Sequence, residues 1–174
     1  SVGLPVPNVD VKIDKPNKDN IGEILVRGKN VMKGYYRDAR KTKEVITPDG
    51  YFKTGDLGYF GKDGALFVVG RSKELIIRSG FNVFPPEVEA MLTKHPSVYQ
   101  AAVIGKKTKT NEEILAFILT DGEVIEDELK QWLRKYLAPY KIPQHIYIVK
   151  KFPTAATGKI LKHKLTTFFA DILN

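Results

Sequence analysis

The chain has 174 residues, 43% of them hydrophobic and 28% charged, with a formal net charge of +8 and no cysteine. That length supports one substantial core or two small ones, and the balance is that of a soluble globular protein. The absence of cysteine excludes disulfides, thiol catalysis and thiolate-held metal and fits a cytoplasmic location, while His95, His145 and His163 lie too far apart in sequence for metal-ligand spacing. No window approaches the run of about 20 apolar residues that crosses a bilayer, so no transmembrane segment is expected. The opening SVGLPVPNVDVKI lacks the charged and apolar blocks of a signal peptide, and export is not expected. Positive charge suits anionic partners such as nucleotides and phosphates. Nucleic acid is disfavoured, because the lysines are spread along the chain beside Glu and Asp without an arginine-rich block.

In chain order, residues 1–70 read as β-rich. A polar connector, DKPNKDN (14–20), precedes the short apolar run EILVRG (23–28). GYFGKDGALFVVG (58–70) places an Asp-Gly turn between two apolar runs, which predicts a hairpin. After Gly70 the pattern changes. KELIIRS (73–79) reads as a strand, and PPEVEAMLTKH (85–95) as a helix with prolines in its first turn and Glu87 near the positive end of its dipole. SVYQAAVIG (97–105) and EEILAFILT (112–120) read as strands. In IEDELKQWLRKYLAPY (125–140), Ile125, Leu129, Trp132, Leu133 and Tyr136 recur at helical spacing, which makes Trp132 a core residue. HIYIVKKF (145–152) predicts a further strand, and Ile160–Leu173 a closing helix. The expected class is therefore α+β: a small, barrel-like β-rich subdomain over 1–70, then a compact α+β domain over 71–174.

Three stretches can carry chemistry. In YFKTGDLG (51–58), a Thr-Gly-Asp turn presents Asp56, whose carboxylate can accept two hydrogen bonds from a vicinal diol such as a ribose; the structural alternative is an Asx turn capping its own loop. In GRSKELIIRSGFNVFPPEVE (70–89), Arg71 offers a five-donor fork, Lys73 sits where the two regions meet, and Gly80 permits unusual backbone geometry or close approach of a thin ligand. PTAATGKILKHKL (153–165) presents Lys159 after small residues. It is not a nucleotide P-loop, since Pro153 stands at the first glycine position and Ile160 follows the lysine. Taken alone, Lys159 reads as a surface lysine able to act as a point charge on phosphate or carboxylate.

Together these stretches, with GEILVRGKNVMKGYY (22–36) and LAPYKIP (137–143), resemble in order and spacing the adenylate-forming superfamily of acyl-CoA synthetases, luciferases and peptide-synthetase adenylation domains. SGFNVFPPEVE is most similar to long-chain fatty acid–CoA ligases, with malonyl-CoA-type ligases close behind. The resemblance implies a C-terminal fragment, inactive by itself, whose missing N-terminal domain holds the Ser/Thr/Gly-rich phosphate loop and the acyl pocket. It implies a mobile lid domain over 71–174 that rotates between two half-reactions: adenylation of a carboxylic acid by Mg2+-ATP, then thioester formation with CoA. The fragment itself would hold none of ATP, Mg2+ or CoA tightly. By resemblance Lys159 is the catalytic lysine of adenylation, Asp56 and Arg71 bind the nucleotide, Lys73 is the hinge, Gly80 borders the CoA tunnel, and no residue binds a metal. Two departures stand out: Ala155 occupies a position that is commonly Thr, and KHKL replaces an arginine-bearing ending. The rival readings are an adenylation domain that loads a carrier protein and a non-catalytic anion-binding module.

Overall fold

Four antiparallel strands in simple chain order build the first unit, Ser1–Lys73, of the computed structural model, which describes residues 1–173. They are β1 (Val9–Asp14), β2 (Gly22–Gly28), β3 (Phe52–Phe60) and β4 (Leu66–Arg71). The DKPNKDN connector is an Asx turn: the Asn17 Oδ1 accepts from the amides of Asp19 and Ile21 at 2.9 and 3.0 Å. The Asp63-Gly64 turn forms as expected, with Gly64 at φ +78 and the Gly61 amide donating to the Ala65 carbonyl at 2.8 Å. The sheet is open, with β1 and β4 at its edges, and the N-terminal residues pair with β4 through a single bridge. The Val2 amide donates to the Leu66 carbonyl and the Leu66 amide to the Gly3 carbonyl, each at 2.8 Å, so residues 4–8 span from the β4 edge to the β1 edge.

Helix α1 (Ala39–Val45), capped by the Asp38 carboxylate on the Lys41 amide, buries no residue; it has no amphipathic stripe and no sequence signal to match. Tyr51 is buried between cations, with Lys12 Nζ 3.8 Å and the Arg27 guanidinium 4.5 Å from its ring centroid, and its hydroxyl donates to Asp10. Beside it, the Thr47 hydroxyl and then Lys12 hold the Asp49 carboxyl down, from its ordinary 3.8 to about 2. A depressed carboxylate contributes stability that is full above its unfolded value and lost as pH falls through the folded one. The first unit should therefore weaken between about pH 4 and pH 2, and Asp49→Asn should make that acid limb shallower in urea titrations followed by far-UV circular dichroism. An unchanged limb would mean the Thr47–Lys12 contacts are not kept in solution.

The second unit, Glu74–Asn174, begins with a hairpin of β5 (Ile76–Arg78) and β6 (Phe81–Val83) and then helix α2 (Pro85–Leu92). A three-stranded sheet follows, β7 (Val98–Lys107), β8 (Glu112–Thr120) and β9 (His145–Ile148), with β8 central. β7–β8 is antiparallel; β8–β9 is parallel, and α3 (Glu126–Arg134) supplies the crossover that parallel pairing requires. EEILAFILT is a continuous apolar run because both faces of β8 are covered. Ile114, Ala116 and Ile118 pack with Val88 and Leu92 of α2 and Leu129 and Leu133 of α3. On the opposite face Leu115, Phe117 and Leu119 pack with Val149, Phe152 and Leu165. The α+β class is as expected.

Three element bounds depart from the sequence reading. The 73–79 strand shrinks to β5, because Ser72–Glu74 winds into a 3-10 turn. The 125–140 helix is confined to Glu126–Arg134, with Ile125 exposed at its N-cap and Tyr136 exposed beyond its end; Pro139 forces Ala138 into an extended conformation at ψ 149. Trp132 is partly buried against the core as expected, its indole N–H donating to the Met91 carbonyl at 3.0 Å. The single closing helix is replaced by a β-bridge at Ile160, a 3-10 turn over Lys162–Lys164, and two one-turn helices, α4 (Leu165–Phe168) and α5 (Ala170–Leu173). The β-branched Thr166 and Thr167 weaken the helical tendency, and Phe169 leaves the helical conformation where its ring stacks on Phe117 at 5.0 Å.

Candidate active site

The Thr-Gly-Asp triplet is a bulge in β3. Leu25 pairs with Lys53 and Glu23 with Leu57, so Ile24 alone faces Thr54, Gly55 and Asp56. Gly55 takes φ +75, which explains the glycine, and side chains satisfy the displaced backbone. The Thr54 hydroxyl donates to the Ile24 carbonyl at 2.8 Å and accepts from the Asp56 amide at 3.0 Å, while Glu23 accepts from the Gly55 amide at 3.2 Å. The local cap is thus Thr54, not Asp56. Freed from that role, the Asp56 carboxylate lies 3.0 Å from Nε of Arg71, its cross-strand partner on β4, and remains about one-third exposed. Two residues singled out separately in the sequence therefore form one ion pair at the end of the sheet.

Lys73 is exposed within the Ser72–Glu74 turn, the last residue of the first unit. Gly80 closes the β5–β6 hairpin with Ser79; both have positive φ, +51 and +81, the two-residue turn that matches strand twist. A side chain at Gly80 would meet nothing within 4 Å, so backbone conformation, not crowding, is what this position requires of glycine.

Lys159 stands on a hairpin of its own. Thr154 and Ile160 form a β-bridge, the Gly158 amide donates to the Ala155 carbonyl and the Ala155 amide to the Lys159 carbonyl, each at 2.9 Å. Gly158 at φ +81 is the left-handed residue of this turn. Backbone bonds alone close the loop, so alanine at position 155 removes no bond that it needs. Lys159 is exposed at its end. Just beyond, Lys162 of the KHKL ending lies 2.7 Å from Glu89 and 3.3 Å from Glu74, and Glu89 also accepts from the Val103 amide of edge strand β7 at 2.7 Å. No local sequence pattern signals this anchor, since residues 74, 89 and 162 lie far apart in the chain. Glu87 pairs with Lys141 at 2.6 Å and fixes the start of α2, a structural duty consistent with its place in the first turn.

Gly80 and Lys159 belong to opposite faces of the three-stranded sheet. The Gly80 hairpin contributes Ile76 and Val83 to the cluster shared with α2 and α3, and the Lys159 hairpin sits between Phe152 and Leu165 of the other cluster. Among the described residues no group of three or more His, Asp or Glu side chains is placed to hold a metal, and no helix is long and apolar enough to cross a membrane.

These features define a small α+β domain that offers exposed tips from both sides of one sheet. Residues 87–159 match the AMP-binding enzyme C-terminal domain family. It is 41% identical to 2-succinylbenzoate–CoA ligase of Bacillus licheniformis, over 95% of this chain and 35% of that protein. It is 42% identical to probable 4-coumarate–CoA ligase 2 of Dictyostelium discoideum, over 95% of this chain and 32% of that protein. The solved ATP-bound structure of MatB from Rhodopseudomonas palustris matches with a TM-score of 0.90 and 34% identity, over 99% of this chain and 36% of that one. The chain spans about a third of the length of these relatives.

Proposed function

We propose that the chain is the C-terminal part of an AMP-forming acyl-CoA ligase in the cytoplasm, with Lys73 as the hinge and residues 74–174 as its mobile lid. That lid starts later than the expected residue 71 because Arg71 belongs to β4. The observation that carries this reading is the placement of Lys159 and Gly80 on opposite sheet faces. Groups so placed cannot line one small site together, whereas a domain that turns over between two steps uses each in turn. In the first step a substrate carboxylate oxygen attacks the α-phosphorus of ATP and pyrophosphate leaves; the Lys159 ammonium lies against the charge that builds on the phosphate. Asp56, oriented by Arg71, accepts hydrogen bonds from the ribose hydroxyls. In the second step the CoA sulfur attacks the acyl carbonyl, AMP leaves, and the Gly80 tip borders the pantetheine arm. ATP and CoA fit these residues: a free ammonium, a part-exposed carboxylate and a tip with open space. Mg2+ required by ATP chemistry has no ligand set among the described residues.

The acyl substrate is proposed to be a fatty acid on the similarity of SGFNVFPPEVE. The names of the two curated relatives favour a second reading, an aromatic carboxylic acid. The test is the full-length protein incubated with Mg2+-ATP, CoA and a panel of fatty acids, 4-coumarate and 2-succinylbenzoate, with pyrophosphate and thioester measured. Thioester from fatty acids supports the first reading and from aromatic acids alone the second. No thioester from any acid would overturn the ligase assignment, as would robust thioester formation by residues 1–174 alone the assignment to a dependent part.

A further inference from the structure

The outer edge of β5, in the hairpin that carries Gly80, pairs with no strand among the described residues, and the side chains of Asn111 and of Glu112 at the start of β8 take its outward amides instead. The Glu112 carboxylate accepts from the Ile77 amide at 2.8 Å, and Asn111 Oδ1 accepts from the Ser79 amide at 2.8 Å. The Asn111 amide nitrogen also donates to the Ser79 hydroxyl at 3.1 Å, so one carboxamide grips both the amide and the hydroxyl of Ser79. Asn111 is itself fixed: its Oδ1 takes the Glu112 amide at 2.9 Å, and its backbone is locked to Thr108 in both directions. On the other side Arg78 donates to the carbonyls of Tyr140 and Ile142 at 3.2 and 2.7 Å, and Phe81 stacks on Tyr140 at 4.5 Å.

Ser79 is the strained member of this turn. It holds φ +51, a region a side chain enters reluctantly, whereas Gly80 at +81 enters it freely. A turn with serine at that position needs an outside partner to stay in one conformation, and Asn111 is placed to be that partner.

We propose that Asn111 is a positioning residue for thioester formation, acting through Ser79 to hold the Gly80 tip rigid where the thiol-bearing arm of CoA passes. This rests on the reading of Gly80 given above. A pre-set tip lowers the ordering cost of binding CoA, and loss of the grip appears as weaker CoA use, not as slower adenylation.

The test uses the full-length ligase and three variants, Asn111→Ala, Asn111→Asp and Gly80→Ala. Adenylation is read by pyrophosphate exchange and the second step by CoA titration of supplied acyl-adenylate. Hydrogen exchange at the Gly80 amide is read on residues 1–174. Asn111→Ala is expected to raise the KM for CoA about five- to tenfold, the loss of one to two hydrogen bonds, with adenylation unchanged and Gly80 exchange faster. Asn111→Asp keeps the acceptor for the Ser79 amide and should fall between the two. If Gly80→Ala raises the KM for CoA but Asn111→Ala does not, the positioning role is overturned and the Gly80 reading stands. If neither variant moves it, the Gly80 reading falls and takes the inference with it. Equal losses in both half-reactions would reduce Asn111 to a fold-maintaining residue.

Discussion

On the proposed reading, Lys159→Ala in the full-length protein is expected to slow adenylation about 10²–10³-fold while thioester formation from supplied acyl-adenylate changes by no more than about twofold. The size follows from what an ammonium does beside a phosphate on which charge is building: it is a preoriented counter-charge that water replaces poorly. The selectivity follows from position, since the lysine and the Gly80 tip belong to opposite faces of the sheet. Collapse of the loop is not a competing explanation. The hairpin is closed by the amides of Ala155, Gly158 and Leu161, none of which needs the lysine side chain. Lys159→Arg supplies a control, because it keeps the charge but exchanges a compact ammonium for a wide planar fork, and it should restore activity only in part. Pyrophosphate exchange set against single-turnover thioester formation separates the steps. Equal losses in both would contradict the role assigned to Lys159.

Much of this architecture was legible where local pattern and tertiary environment agree. β8 matches EEILAFILT residue for residue, because burial on both faces leaves an unbroken apolar run. The Asp63-Gly64 hairpin is equally plain, since its turn chemistry is local. The misses fall where a distant partner overrides local preference. Ile160–Leu173 has helical spacing, yet Ile160 is taken by a bridge to Thr154 and Phe169 by a stack on Phe117. Apolar spacing runs on to Tyr136, yet Pro139 holds Ala138 extended and bars a helix through 140. At the site, the individual residues could be named from motif order, but their couplings could not. Asp56 and Arg71 meet only because a bulge in β3 sets their register, and the anchoring of Lys162 by Glu74 and Glu89 joins three distant segments. Opposite-face placement of Gly80 and Lys159 depends on sheet order, which no single stretch encodes.

Phe117→Ala is expected to cost the second unit about 3–5 kcal/mol, the range for deleting a fully buried aromatic side chain. Phe117 is completely buried at the centre of β8 and stacks on Tyr147 and Phe169 at 5.3 and 5.0 Å, so truncation removes apolar contact and takes one stacking partner from each ring. Trp132 is the one tryptophan in the chain and lies on α3, so its fluorescence follows this unit through a urea titration. The midpoint should fall with little change in slope, and Phe117→Leu, which refills most of the space, should lose no more than about 1.5 kcal/mol. A loss below about 1 kcal/mol in the alanine variant would mean that this face collapses around the gap or is not cooperative with the α2–α3 side. The location of the damage also has a functional direction. Phe152 and Leu165, the residues on either side of the Lys159 hairpin, pack in the same cluster as Phe117, while Ile76 and Val83 of the Gly80 hairpin do not. Below its melting temperature, and on the proposed reading, the alanine variant of the full-length protein should therefore lose adenylation before it loses thioester formation, because the loosened face is the one that presents the lysine.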